Sequence, residues 1–197
     1  MCRWPIPSSI HNFPGCFLKQ DARGQAILEF AITLPLLVVF IVGIYDFSGA
    51  FNEKQKIEQA AQEGAILAGA QPTSDMQPIA KSNPDSLQPV VTAIVNSLVA
   101  SGVVNGSCTP PGSVTGGPNL IWTYTISGCP GSLVITVNRG WEAGAGTVDS
   151  PAALGTVVTV QYPYVWRFNS VIQLLLPGAN YAATTPLTES ATVHNQM

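Results

Sequence analysis

The sequence predicts an α+β chain: a long apolar amino-terminal helix that crosses a membrane, followed by a small antiparallel-sheet domain with one helix packed on it. Three observations carry this. Phe30 to Tyr45 is a run of sixteen residues without a charge. Small and apolar side chains then recur at spacings of three and four as far as Ala68, the period of one helical face. Towards the other end, "SLVITVN" and "TVVTVQY" alternate apolar and polar positions, as half-buried strands do. Composition sets the frame: the chain is 46% hydrophobic and only 10% charged, against about 25% charged in ordinary soluble domains.

Residues 1–24 hold Pro5, Pro7, Pro14 and Gly15 and follow neither period, so they read as an irregular leader. Arg3, Lys19 and Arg23 face a single acid there, Asp21, whereas five basic and ten acidic residues follow from Gln25 onward. A basic flank stays in the cytoplasm, which sends everything after Asp46 across the membrane. The apolar run lengthens at its edges through Gln25–Leu28 and Phe47–Phe51, and about 20 residues suffice to cross the hydrocarbon.

The next stripe, Phe47, Ala50, Phe51, Lys54, Ile57, Ala60, Ala61, Gly64, Ala65 and Ala68, lies opposite Glu53, Lys56, Gln59, Gln62 and Glu63. No breaker separates it from the apolar run, so one helix is expected over 25–68, membrane-spanning in its first half. At 1.5 Å per residue it would be roughly 66 Å long, of which a bilayer core takes about 30 Å. Pro35 removes one backbone hydrogen bond inside it, a defect a hydroxyl such as that of Thr33 can relieve. Residues 69–85 read as a linker and 86–197 as the exported domain. Within that domain Ser86–Ser101 forms a helix capped by Asp85 or Ser86, with Leu87, Val90, Val91, Ile94 and Leu98 inward. Asn105–Asn119 reads as a loop, and Leu120–Ser127, Ser132–Asn138 and Gly155–Tyr164 as strands, the first two joined by a "GCPG" hairpin. A short apolar stretch covers 171–178, and a last strand lies around Glu189–Val193.

Cys108 and Cys129 both fall in the exported part, where an oxidising compartment allows a disulfide. A loop of that length is worth roughly 3 kcal/mol by the chain-entropy model. Two free thiols remain the alternative, because spacing does not bring two Cα atoms together. Cys2 and Cys16 lie in the leader.

Several function classes find little support. No basic patch suits nucleic acid. The histidines are His11 and His194, far apart in sequence, which starves a Ser/His/Asp or Cys/His site. Glu142 and Asp149 are acids of the kind glycoside chemistry uses, but acids in loops are mostly solvated. No Cys and His cluster fits zinc, and "Gly144-Ala145-Gly146" lacks the context of a nucleotide fingerprint. "Asn105-Gly106-Ser107" is a sequon whose use depends on the host. Trp122, Trp141 and Trp166 read as core. The expectation is therefore no enzyme, no metal, no cofactor and no small-molecule substrate.

The segment "RGQAILEFAITLPLLVVFIVGIYDFSGAF" resembles the amino-terminal region of TadE-like pseudopilins, minor components of the tight-adherence (Flp) branch of type IV pili. Arg23 and Gly24 precede the junction, Glu29 is the fifth residue after it with Phe30 beside it, Pro35 lies within the apolar helix, and Asp46 and Phe47 close it. The exported part is similar only loosely, in "TVVTVQYPY" and the closing run, and departs in the Pro-rich leader and in Cys108 and Cys129.

The resemblance implies a bacterial inner-membrane protein with its amino terminus cytoplasmic and a pilin-like domain periplasmic or extracellular, able to enter the pilus. A prepilin peptidase would cut between Gly24 and Gln25, with Glu29 and Phe30 in the recognised stretch. Glu29 would then lie about 6 Å beyond the new amino group along the helix. A carboxylate at mid-bilayer costs about 2.5–3.5 kcal/mol on the insertion scale and less near an interface, so Glu29 invites a partner: the amino terminus of a neighbouring subunit, which would make it a register carboxylate. The simpler alternative is that Glu29 snorkels or protonates. Implied partners are the prepilin peptidase, other pilins, the pilus assembly platform and membrane lipid. Two rivals stay open: a secreted protein released by signal peptidase after Ser48-Gly49-Ala50, and an uncleaved single-pass anchored binding module.

Overall fold

The computed structural model describes residues 22–72, 74–76, 83–129, 131–143, 153–168, 173, 178 and 184–196. Residues 1–21, the Gly144-Ala145-Gly146 loop, Asp149, and the apolar stretch 171–178 apart from Gln173 and Gly178 lie outside the described residues. The chain divides into two compact units, residues 1–41 and 42–197. One helix, α1 (Ala22–Ala70), supplies residues to both. The remaining elements belong to the second unit: α2 (Gln88–Ala100), β1 (Thr109–Gly116), β2 (Ile121–Ser127), β3 (Leu133–Ala143), β4 (Ala153–Val165) and β5 (Thr184–His194). The fold is α+β, as the sequence indicates.

The five strands form one antiparallel sheet in the order β1-β2-β3-β4-β5, each beside its neighbour in sequence. Alternation fixes which face is buried. Trp122 and Tyr124 of β2, Leu133, Ile135 and Val137 of β3, and Val158 and Val160 of β4 all point to one side and are fully buried. There they share a core with Ile57, Ala60, Ala61, Ala65 and Ala68 of α1 and with Val90, Val91, Ile94 and Leu98 of α2. Each large apolar side chain so buried contributes about 1.5–3 kcal/mol. The opposite face carries a row of hydroxyls in register across four strands: Thr115, Thr123, Thr136 and Thr159. Such residues suit a solvated sheet face, and core and surface are thus separated by the period of two.

The stripe of α1 that packs on this core is small for a geometric reason. A Cβ built on Gly64 would overlap the Ile94 side chain, and one on Gly49 would meet the Tyr164 hydroxyl at 2.8 Å. Seven of the ten positions expected inward are buried, and the departures are Phe47, Phe51 and Lys54 near its start. Asp46, Ala50, Ile57, Ala60, Ala61, Gly64, Ala65 and Ala68 are buried, whereas Phe47 and Phe51 are 57% and 64% exposed and Lys54 is exposed too. Apolarity alone places the two phenylalanines inward, and the structure leaves them exposed. The buried line 46-50-57-61 advances by about one or two helical turns per step and admits an acid because partners exist for it.

Helix ends differ in detail from expectation. α1 begins at Ala22, ahead of Gln25, and ends at Ala70. The guanidinium of Arg139, itself buried, donates to the carbonyls of Gln71 and Pro72 at 2.9 and 3.3 Å, a cation on carbonyls just past the end of a helix. The stretch expected as a linker is therefore tied down in its described parts. It also contains a short 3₁₀ turn at Ser74–Met76, and Asp75 accepts from the Ser86 backbone N–H at 2.7 Å. A second 3₁₀ turn, Asp85–Leu87, shifts the cap of α2 to Leu87, which makes no side-chain cap bond, so neither Asp85 nor Ser86 is the cap. At its other end α2 closes with Gly102 at φ +73°, Val103 N–H bonding Leu98 O and Gly102 N–H bonding Val99 O, the paired bonds of a left-handed glycine stop.

β1 corrects the loop expected over 105–119. Its Pro110, Pro111 and Gly112 spoil a strand pattern, yet β1 pairs on one side only, where missing N–H groups are tolerated. The register shifts between Thr109 and Ser113, and Gly112 sits at φ +72°.

Candidate functional site

The residues singled out in sequence fall on two stretches of α1, one in each unit. In the first unit Gly24, Gln25, Glu29 and Phe30 all lie on the exposed helix surface. Gly24 sits in the first turn of α1 as described, whose N–H groups lack intrahelical acceptors. From Ile27 to Ile41 the large apolar side chains are exposed almost without exception. Glu29 stands among them, and among the described residues its carboxylate has no ion pair.

Thr33 Oγ1 donates to the carbonyls of Glu29 and Phe30 at 2.9 and 3.3 Å. Pro35 deprives the carbonyl of Ala31, four residues earlier, of its donor. The Thr33 hydroxyl therefore bonds the carbonyls of Glu29 and Phe30 and not that of Ala31, so it does not repair the proline defect, contrary to the sequence expectation. The helix from Gly24 to Ala70 is long and apolar enough to span a bilayer.

The second stretch is where sequence reasoning missed most. Asp46, the first charge after Glu29, is 2% exposed. Its Oδ1 accepts the Tyr164 hydroxyl at 3.1 Å and its Oδ2 accepts the Phe168 backbone N–H at 2.7 Å, while its own carbonyl also accepts from the Tyr164 hydroxyl at 3.1 Å. A buried carboxylate is tolerable when its lone pairs are used, and here they pin the end of β4 to the helix. Burial, reinforced by the bond to Asp46, pushes the Tyr164 phenol up to about 12. Beside it a cavity of about 280 Å³ is lined by Asn52, Glu53, Lys56 and Arg167 among others. Burial raises the Glu53 carboxyl, and the nearby Lys56 and Arg167 charges oppose that. Lower on the helix Lys54 pairs with Glu189 of β5 at 3.2 Å. The signal for the Asp46 clamp was a lone acid followed by an aromatic at the close of an apolar run; its partners, Tyr164 and Phe168, are 118 and 122 residues away and left no local trace.

Elsewhere, Cys108 and Cys129 are disulfide-bonded with Cα atoms 4.6 Å apart, fastening the chain entering β1 to the turn after β2. Glu142 is exposed on β3 and His194 exposed on β5. Of the three tryptophans assigned to the core only Trp122 is fully buried; Trp141 and Trp166 are half-buried. Trp166 stacks edge-on against Phe47 and Tyr164, with ring centroids 5.3 and 5.0 Å away, and its Nε1 donates to Thr185 Oγ1 at 2.7 Å.

The family model of TadE-like proteins matches residues 24–65. Over that segment the chain is similar to TadE-like proteins. The match opens at Gly24 and covers Glu29, Phe30, Pro35, Asp46 and Phe47, so the TadE-like segment holds the exposed apolar surface and most of the buried small-residue stripe. No curated protein and no solved structure matches the chain.

Proposed function

We propose that the chain is a minor pilin, or pseudopilin, that takes part in assembling a tight-adherence (Flp) type IV pilus for surface attachment, and that it acts without catalysis. It sits in the bacterial inner membrane as a single-pass protein, the flank before Gly24 in the cytoplasm and the domain beyond Asp46 exported. Prepilin peptidase removes residues 1–24, and the subunit then engages other pilins and the assembly platform.

The observation that carries this reading is Glu29: a carboxylate without an ion pair among the described residues, on an otherwise apolar, exposed helix surface, inside the segment similar to TadE-like proteins. In lipid such a group costs free energy until a cation meets it. The freed amine of Gln25 on an adjacent subunit supplies one, so docking in register removes the cost and docking out of register retains it.

The secreted alternative is disfavoured by the clamp. A cut after Ala50 discards Asp46, Gly49 and Ala50, leaving the Tyr164 hydroxyl and the Phe168 N–H without their acceptors. The test is Glu29→Ala in the native host. The variant is expected to be processed normally yet to be missing from pili, with piliation reduced; wild-type piliation and incorporation would contradict the register role.

A further inference from the structure

Asp46 has a consequence for where part of the sheet lies. It is the residue directly after the apolar run, and its carboxylate holds the Phe168 N–H while Tyr164 bonds both its side chain and its carbonyl. The segment leaving β4, Val165 to Phe168, is therefore fixed beside the turn of α1 that holds Tyr45 and Phe47. If the apolar run crosses the bilayer, as the proposed function requires, that turn is at the level of the lipid headgroups and the tied segment is there with it.

The side chains at this place are those of an interface. Val165 is 63% and Tyr45 68% exposed, Arg167 is exposed, and Trp166 lies with its ring against the exposed Phe47. Solvated sheet ends do not need an exposed valine, tyrosine and phenylalanine around a tryptophan. Aromatic rings with one polar end are favoured at the membrane–water boundary, and a guanidinium there meets lipid phosphates bidentately.

We propose that Tyr45, Phe47 and the Val165-Trp166-Arg167-Phe168 segment form a second membrane contact, docking this end of the exported domain on the phospholipid headgroups of the outer leaflet before the subunit enters a fibre. The inference rests on the spanning reading of α1. It assigns to Trp166 and Arg167 a role in holding the domain at the bilayer surface, where an incoming subunit can reach α1.

The experiment uses the full chain in vesicles of phosphatidylethanolamine and phosphatidylglycerol, with Trp4→Phe in the background so that the leader contributes no signal. Tryptophan fluorescence is quenched by lipids brominated close to the headgroup or close to the chain end. Trp122 is fully buried, and Trp141 pairs with Gly155 near the opposite end of β4 from Trp166, so quenching by the shallow bromines should come from Trp166. Trp166→Phe should lower it to less than half and Trp141→Phe should leave it unchanged. Val165→Asp, at an exposed position that leaves the core intact, should also lower it by drawing the segment out of the lipid. Quenching that is unaffected by Trp166→Phe and Val165→Asp in vesicle-bound protein overturns the second contact while leaving the spanning helix standing. Protein that fails to float with the vesicles overturns both.

Discussion

The two stretches of α1 are built by one helix and obey opposite rules. From Ile27 to Ile41 the large side chains are exposed and the residues are Leu, Ile, Val and Phe; from Ala50 to Ala68 the buried residues are Ala and Gly with one Ile. The first stretch is exposed over nearly all its length in the single chain, so its polarity is constrained more tightly than its side-chain size. The second must let a sheet and a second helix approach closely, so its size is constrained, and even an acid is admitted where partners wait. Hydrophobicity alone does not tell a membrane surface from a core; side-chain volume along the helix does.

The sharpest way to break this comparison is to make one change in both places. Ile57→Ala, at a fully buried site, should cost the sheet unit about 2–5 kcal/mol, read by chemical denaturation in detergent with Trp122 fluorescence as the probe. Ile32→Ala, at an exposed site, should leave the same transition within about 0.5 kcal/mol. Equal losses would show that the helix does not divide as described.

Removing the covalent staple comes next. Cys108→Ser with Cys129→Ser should lower the stability of the second unit by roughly 3 kcal/mol through the loop it opens, and leave α1 helicity in detergent unchanged by circular dichroism. Asp46→Ala should cost about 1–3 kcal/mol because it strands the Phe168 N–H and leaves the Tyr164 hydroxyl only the backbone carbonyl of residue 46, and Asp46→Asn should recover part of this by keeping one side-chain acceptor. A loss for Asp46→Ala no larger than that for the exposed Ile32→Ala would mean that the clamp contributes nothing.

The smallest effect is a pH slope. The Tyr164 phenol is raised from its ordinary value of 10.0 to about 12. The unfolded chain therefore releases this proton first, and the stability present below pH 10 declines as pH rises towards 12. Denaturation at about pH 9 and about pH 11 should show that decline, and Tyr164→Phe should flatten part of it.

Much of the fold was legible because the signals are local. The apolar run, the small-residue repeat and the alternation in β3 and β4 each state their element within a dozen residues, and the fold class followed. β1 was not legible because an edge strand carries prolines that an inner strand excludes, and its partner strand alone reveals it. The start of the inward face of α1 was misassigned for a related reason: Phe47 and Phe51 look like core until Asp46 is given Tyr164 and Phe168, which come from the far end of β4. Glu29 was conspicuous from the start, since a charge in an apolar run needs no structure to be seen.

Under the proposed function, Glu29 is accommodated because processing after Gly24 frees an amine to meet it on a neighbouring subunit. The most direct measurement of this is the amino-terminal sequence and intact mass of the protein purified from the membranes and pili of its host. The account gives a chain beginning at Gln25. A chain that retains Met1, or one that begins at Phe51, would contradict it.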